Sequence, residues 1–280
     1  MTMPSVQDIA LEDATPPKPF IKWVGGKRSI LPKLHDNLPP FITRYYEPFL
    51  GGGALFFSLR ANKTRLTNVS LSDVNMNLVM TYNAVKDSLE QVIEELRVLQ
   101  DSHCKSQFLD IRSRFSEHKP RYEQAAHMIY LNKTCFNGLY RVNKSGGFNV
   151  PLGSYENPKI LDESKLRAAS AALQGCDISY RSALETPIHE DAFYYFDPPY
   201  HKTFSSYDSG GFTEDHHRQL RKLCGDIHSA GGKFLLSNSD TPFVQELYGE
   251  FDPKPVMAGR AVSCKSDGRG KTQELLIRNY

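Results

Sequence analysis

Five consecutive apolar residues, Ala192-Phe193-Tyr194-Tyr195-Phe196, run directly into Asp197-Pro198-Pro199-Tyr200. A run this short, rich in aromatics and stopped by a rigid turn, predicts a strand buried on both faces. Similar runs follow the same rule. Val69 to Asp73 ends in an acid, Asp177 to Tyr180 is a short strand, Lys233 to Ser237 follows Gly231-Gly232, and Glu274 to Arg278 gives a last strand. Helical spacing lies between them. Leu89, Val92, Leu96 and Leu99 follow Ser88, with Gln91 in capping-box position, and Leu220, Leu223 and Ile227 follow Thr213. Strands alternating with helices define an α/β sheet.

The middle of the chain breaks this rhythm. From about Met76 the pattern is mostly helical until Asn143. The stretch Asn143-Lys144-Ser145-Gly146-Gly147-Phe148-Asn149-Val150 then predicts a β-hairpin turning on Ser-Gly-Gly. The expected organisation is a leader over 1–16 and a first sheet segment over 17–75. An inserted lobe over 76–161 and a second sheet segment over 162–280 complete it. The leader is polar, acidic and Pro-rich, without the basic and apolar regions of a signal peptide. No apolar stretch is long enough to span a bilayer.

Charge and cysteine usage narrow the classes. Net charge is +2, but six basic residues stand against one acid between Lys18 and Arg44. Four more stand against Asp267 between Arg260 and Lys271. Such patches suit phosphate contact, and equally an ordinary solvated surface. The five cysteines, Cys104, Cys135, Cys176, Cys224 and Cys264, are scattered, and no C-x-x-C occurs. That pattern points to reduced thiols in a cytoplasmic protein rather than a disulfide framework or a zinc site.

Four constellations carry chemistry. Asp197-Pro198-Pro199-Tyr200 sits where ligands bind in open α/β sheets, beyond the carboxyl end of a strand. The prolines lack N–H donors, so an acid, a carbonyl and an aromatic face are offered together. Two acceptors can grip a planar amino group while the ring stacks on it. Glu47-Pro48-Phe49-Leu50-Gly51-Gly52-Gly53 is a loop whose backbone a ligand can approach closely, although a tight turn explains it as well. Phe56 stands where a dinucleotide fingerprint needs its third glycine. Asp73, some twenty residues beyond the glycines, is placed to accept from ribose hydroxyls. Phe20-Ile21-Lys22-Trp23-Val24-Gly25-Gly26-Lys27 is no P-loop, because Ile21 and Arg28 stand where Gly and Ser or Thr belong.

In this order, these pieces resemble the Dam family of DNA adenine methyltransferases. The resemblance runs from Phe20 to Asn279. It takes in Tyr130-Leu131-Asn132-Lys133-Thr134-Cys135-Phe136-Asn137-Gly138-Leu139-Tyr140-Arg141, Gly147 to Pro151, Phe212-Thr213, and Leu236-Ser237-Asn238-Ser239-Asp240. It implies a Rossmann-like, seven-stranded methyltransferase sheet with an inserted helical target-recognition lobe carrying a β-hairpin. It implies S-adenosylmethionine as cofactor, S-adenosylhomocysteine as product, no metal, and double-stranded DNA as partner of a monomeric enzyme. By resemblance, Trp23, Lys27, Glu47, Pro48, Phe49, Gly51 and Gly53 hold the methionine part of the cofactor. Asp73 holds its ribose and Ser182 its adenine, while Asp197 borders it. Asp197, Pro198 and Tyr200 hold the target adenine. Phe136 enters the base stack, with Asn137 beside it on the DNA. Lys22 and Arg141 read guanines, and Leu139 and Pro151 touch a thymine, together implying GATC. The same clamp would also suit cytosine or RNA amino groups, and a methyltransferase body can serve as a silent DNA binder.

Overall fold

The computed structural model describes residues 15–115, 120–202, 211–259 and 271–280. The basic cluster from Arg260 to Arg269 and Cys264 lie outside the described residues. Seven strands form one mixed sheet: β1 (Arg44–Glu47), β2 (Asn68–Asp73), β3 (Cys176–Tyr180), β4 (Ala192–Phe196), β5 (Lys233–Ser239), β6 (Lys254–Gly259) and β7 (Lys271–Arg278). Their order is β3-β2-β1-β4-β5-β7-β6. The first five are parallel, and β7 runs antiparallel between β5 and β6. The seven-stranded α/β sheet is therefore as expected. The order reverses between β1 and β4, which creates the crevice where ligands of open sheets bind.

Nine α-helices are described: α1 (Leu31–Asp36), α2 (Ala54–Ala61), α3 (Met76–Asp87), α4 (Leu89–Asp101), α5 (Lys105–Ser113), α6 (Arg121–Thr134), α7 (Glu163–Leu173), α8 (Glu214–Ser229) and α9 (Pro242–Leu247). Side-chain alternation along the strands sorts the core into two layers. Tyr45, Val69, Leu71, Phe193, Tyr195 and Leu235 face one cluster, which also holds apolar residues of α3, α4, α6 and α7. Tyr46, Tyr194, Phe196, Phe234 and Leu236 face the other, beneath Leu220, Cys224 and Ile227 of α8. All five residues of β4 are buried, as a parallel strand covered on both faces requires.

The middle block shares its core with the sheet, with Met128, Ile129 and Leu131 of α6 packed in the same cluster as Tyr45 and Leu71. Helix α3, at the start of the expected lobe, is also bonded to β3. Asn83 Nδ2 donates to the Ile178 carbonyl at 3.0 Å and Lys86 Nζ to that of Cys176 at 3.2 Å.

Local expectations hold in part. Thr213 caps α8, completing a capping box with His216, and His217 behind it is fully buried. Ser88 precedes α4 but makes no side-chain cap bond, so the capping box expected there is absent. Its backbone N–H instead donates to Ala84 at the end of α3, which ties it into a tight junction between two helices. The expected hairpin is reduced to two isolated bridges, Cys135 with Leu152 and Val142 with Phe148. Its turn is held by Asn143, whose Oδ1 accepts from the backbone of Ser145 and Gly147 at 3.0 and 2.9 Å and from the Ser145 hydroxyl. Backbone bonds from Asn143 N–H to the Gly147 carbonyl and from Asn149 N–H to the Arg141 carbonyl still pair the two arms, so a short hairpin forms with a side chain closing its turn.

Candidate active site

Three strand ends converge on the crevice. After β1 the chain turns through Gly51 and Gly53, both in the left-handed region at φ +47° and +63°. A side chain at Gly51 would also meet Trp23 Cδ1 at 2.9 Å, so the loop needs glycine there for conformation and for space. The Trp23 ring lies on this loop and stacks on Tyr140, with centroids 5.4 Å apart. Tyr82 of α3 donates its hydroxyl to the Gly51 carbonyl at 3.1 Å. Pro48 is buried, and Phe49 packs edge-on against Phe212 at 5.6 Å.

Asp73 closes β2 and receives backbone donors on both oxygens. Gly51 N–H reaches Oδ2 at 3.0 Å and Asn75 N–H reaches Oδ1 at 2.9 Å. Each carboxylate oxygen can accept a further bond. Burial still pushes the Asp73 carboxyl upward, against the pull of those amides. Ser182 lies just beyond β3 and accepts from Leu184 N–H at 3.3 Å, while the neighbouring Arg181 N–H donates to the Asp73 carbonyl.

Glu47, at the end of β1, is buried. Its Oε2 accepts from the Tyr45 hydroxyl at 2.8 Å and the Phe56 N–H at 3.2 Å. Desolvation, with the nearby Asp197 charge adding to it, pushes its carboxyl up to about 8.

Asp197 ends β4. Lys27 Nζ sits 2.8 Å from its Oδ1, and the Ser237 hydroxyl donates to the same oxygen at 2.9 Å. Burial raises the Asp197 carboxyl, opposed by the Lys27 charge and by the bonds from Lys27 and Ser237. The Lys27 ammonium also lies 4.7 Å over the Tyr200 ring and donates to the Gly25 carbonyl at 2.6 Å. Tyr200 donates its hydroxyl to Glu274 Oε2 on β7 at 2.8 Å, which fixes the tilt of its ring. Lys27, expected at the cofactor's methionine end, is thus joined directly to the Asp197–Tyr200 motif.

The expected DNA-facing residues gather on a second surface. Asn132 of α6 ties three segments together: its Oδ1 accepts from Lys22 N–H, and its Nδ2 donates to the carbonyls of Lys22 and Gly138. Gly138, at φ +65°, allows this approach, since a Cβ there would lie 2.4 Å from Lys22 Cδ. Lys22 Nζ donates to the Tyr155 hydroxyl at 3.3 Å. Phe136 is 44% exposed, a costly place for an aromatic without a partner. Asn137 beside it is exposed at φ 54°. Arg141 is exposed and bonded to Asn149 through Nε at 2.6 Å. Pro151 is exposed and accepts from Phe136 N–H at 2.9 Å, and Leu139 is half-buried.

Sequence reasoning assigned no role to Ser237, Glu274, Tyr82, Tyr140 or Asn132. Ser237, Asn132 and Tyr140 lay inside motifs named above, but nothing in the sequence says which distant residues they meet.

Asp197 thus stands pinned at the switch point beside an aromatic ring, with a second acid, Asp73, two strands away. Residues 23–262 match the model of the D12 class N6 adenine-specific DNA methyltransferases, and the chain belongs to that family. It is a DNA adenine-N6 methyltransferase. The chain is 40% identical to a type II methyltransferase, M.MjaIII, of Methanocaldococcus jannaschii, over 94% of this chain and 99% of that one. It is 38% identical to a type II methyltransferase, M1.LlaDCHI, of Lactococcus lactis, over 94% and 95%. A DNA adenine methylase of Vibrio cholerae is 33% identical over 92% and 94%.

Proposed function

We propose that the chain methylates adenine within GATC duplexes, taking the methyl group from S-adenosylmethionine and acting on a base flipped out of the helix. The observation that carries this reading is the Asp197 carboxylate. It stands at the switch point with Oδ1 held by Lys27 and Ser237 and with the tethered Tyr200 ring beside it.

The residues present fit the cofactor. Glu47, Asp73 and Asp197 line the crevice against Lys27, an acceptor-rich lining that suits a cationic sulfonium carrying a ribose. Trp23, Glu47, Pro48, Phe49, Gly51 and Gly53 would hold the methionine end, Asp73 the ribose hydroxyls, and Ser182 the adenine. When bound, S-adenosylmethionine supplies an already activated methyl group.

An adenine stacked inside a duplex cannot reach Asp197. Flipping it out costs a few kcal/mol. Stacking on Tyr200, and Phe136 filling the gap left behind, would each offset roughly 1–3 kcal/mol on the scale of aromatic–base stacks. Asp197 and the Pro198 carbonyl would accept hydrogen bonds from the two amino N–H groups and turn the nitrogen lone pair toward the methyl. Formation of the N–C bond would break the methyl–sulfur bond of the sulfonium and release S-adenosylhomocysteine. The ionised Asp197 would stabilise the positive charge developing on nitrogen, and one amino proton would then pass to Asp197 or to water. Catalysis on this reading is positioning and electrostatics. Lys22 and Arg141 read guanine edges, Leu139 and Pro151 a thymine, and Asn137 lies beside the inserted Phe136.

The test uses tritiated S-adenosylmethionine and two duplexes, one with GATC and one with that site scrambled. Label in adenine of the first alone is the expected result. Label in both discards the reading of Lys22 and Arg141. Label in neither discards the proposal.

A further inference from the structure

The stretch Leu236-Ser237-Asn238-Ser239-Asp240 is absorbed by none of the roles above, yet it holds the Asp197 loop at both ends. At the near end, the fully buried Ser237 donates to Asp197 Oδ1 at 2.9 Å and lies 3.3 Å from the Tyr195 hydroxyl. At the far end, the buried Asn238 accepts from His201 N–H at 3.2 Å, and Ser239 donates its hydroxyl to the His201 carbonyl at 2.9 Å. The His201 ring is fixed in turn by Thr241 at 3.0 Å and Glu214 at 3.3 Å. Asp197 to His201 is therefore a five-residue span stretched between bonds to consecutive residues of β5.

We propose that Ser237 is a positioning residue for methyl transfer: it pins Oδ1 of Asp197, so that Oδ2 is presented to the incoming amino group, while Asn238 and Ser239 hold the other end of the loop. This rests on the reading of Asp197 as the amino acceptor. Lys27 shares the pinned oxygen, but it lies on a flexible four-carbon stem and over the Tyr200 ring. Ser237 is the only one of the two mounted on a central strand. A carboxylate is a two-fold rotor about its last bond. Losing the hydroxyl leaves Oδ1 to Lys27 alone and loosens that rotation, without removing any group that the proposed reading places on DNA or cofactor.

The experiment measures single-turnover transfer, cofactor affinity, DNA affinity and the pH–rate profile of the full chain for Ser237→Ala, Ser237→Cys and Asp197→Ala. Ser237→Ala should lower the transfer rate about 10–100-fold, the scale of a lost bond to a charged group. Cofactor and DNA dissociation constants should stay within about threefold. The acid limb should also move to higher pH, because the Ser237 bond opposes protonation of Asp197. The groups facing Asp197 and its loop, namely Lys27, Glu47, Tyr195, Tyr200 and, behind the ring, Glu274, are unchanged in these variants. Ser237→Cys, close in size with a weaker donor, should fall between. It decides the matter where Ser237→Ala does not fold. A folded Ser237 variant with wild-type rate and acid limb overturns this inference alone, provided Asp197→Ala is inactive. Full activity of Asp197→Ala overturns the reading of the clamp and this inference with it.

Discussion

The molecule treats its two polar surfaces in opposite ways. Around Asp197 the partners are held inside the molecule: Ser237 on β5 is fully buried, Lys27 has 7% side-chain exposure, and the half-buried Glu274 on β7 tethers the neighbouring Tyr200 ring. On the surface of Phe136, Arg141 and Lys22, side chains are exposed and rest on nearby loop residues, Arg141 on Asn149 and Lys22 on Tyr155. The first arrangement fixes dipoles before substrate arrives, which is where electrostatic catalysis gets its strength. On the proposed reading, the second parks donors on partners that DNA would replace. The same bond is therefore worth different amounts in the two places, since a buried polar group left unpaired costs much more than an exposed one.

The largest effect that sharpens this contrast is at Asp197. Asp197→Ala should reduce methyl transfer by at least about 10²–10³-fold, the scale of one lost preorganised group, while cofactor still binds. Calorimetric titration beside a rate assay separates the two. Transfer by the wild type should fall on acidification, with the limb above the ordinary aspartate range, because burial raises Asp197 and its ionised form is the acceptor.

A second effect, on stability, comes from Glu47. Its folded value of about 8 lies above its ordinary 4.5, so the native chain keeps a proton that the unfolded chain loses. Its contribution to stability is present below about 4.5 and is lost as pH rises toward about 8. Cofactor-free protein should accordingly lose stability across that window by chemical denaturation. Glu47→Gln, which mimics the protonated form, should flatten that slope. An unchanged slope would mean that Glu47 is ionised in the free enzyme.

Much of this was legible in the sequence, for reasons that also explain what was not. Asp73 and Asp197 announce themselves because apolar runs end on them at turn signals. Strand β1 escaped because it is four residues long with a charge at each end. Strand β6 escaped because Pro255 argues against a strand; at the edge of the sheet, where β6 lies, proline is tolerated. The carriers of the clamp, Ser237, Tyr195 and Glu274, sit on three strands whose register alone brings them together. Ser237 pairs with Leu276 and Ser239 with Glu274, long-range facts that no local pattern encodes. Asn132, bridging Lys22 to Gly138 across more than a hundred residues, is hidden for the same reason.

On the exposed surface the expected effects are smaller and fall on selectivity. Arg141→Ala should cost about 1–3 kcal/mol of discrimination at one guanine position, with the maximal rate nearly kept. Comparing kcat/KM for GATC with duplexes substituted at each guanine reads this directly. A uniform loss over all duplexes would make Arg141 a phosphate contact instead.

The smallest effect is the most discriminating between the two surfaces. Tyr155→Phe removes the hydroxyl that accepts from Lys22 Nζ but keeps the ring, whose centroid lies 5.0 Å from that nitrogen. An exposed bond of this length contributes on the order of 0.5 kcal/mol, so folding should barely change. If Lys22 leaves Tyr155 to read DNA, the free enzyme loses a bond that the complex does not make. DNA affinity should then rise by up to about threefold, which fluorescence anisotropy at fixed salt can resolve. A loss of tenfold or more would mean that the Tyr155 hydroxyl itself touches DNA, and that this surface is built for its ligand as rigidly as the clamp is.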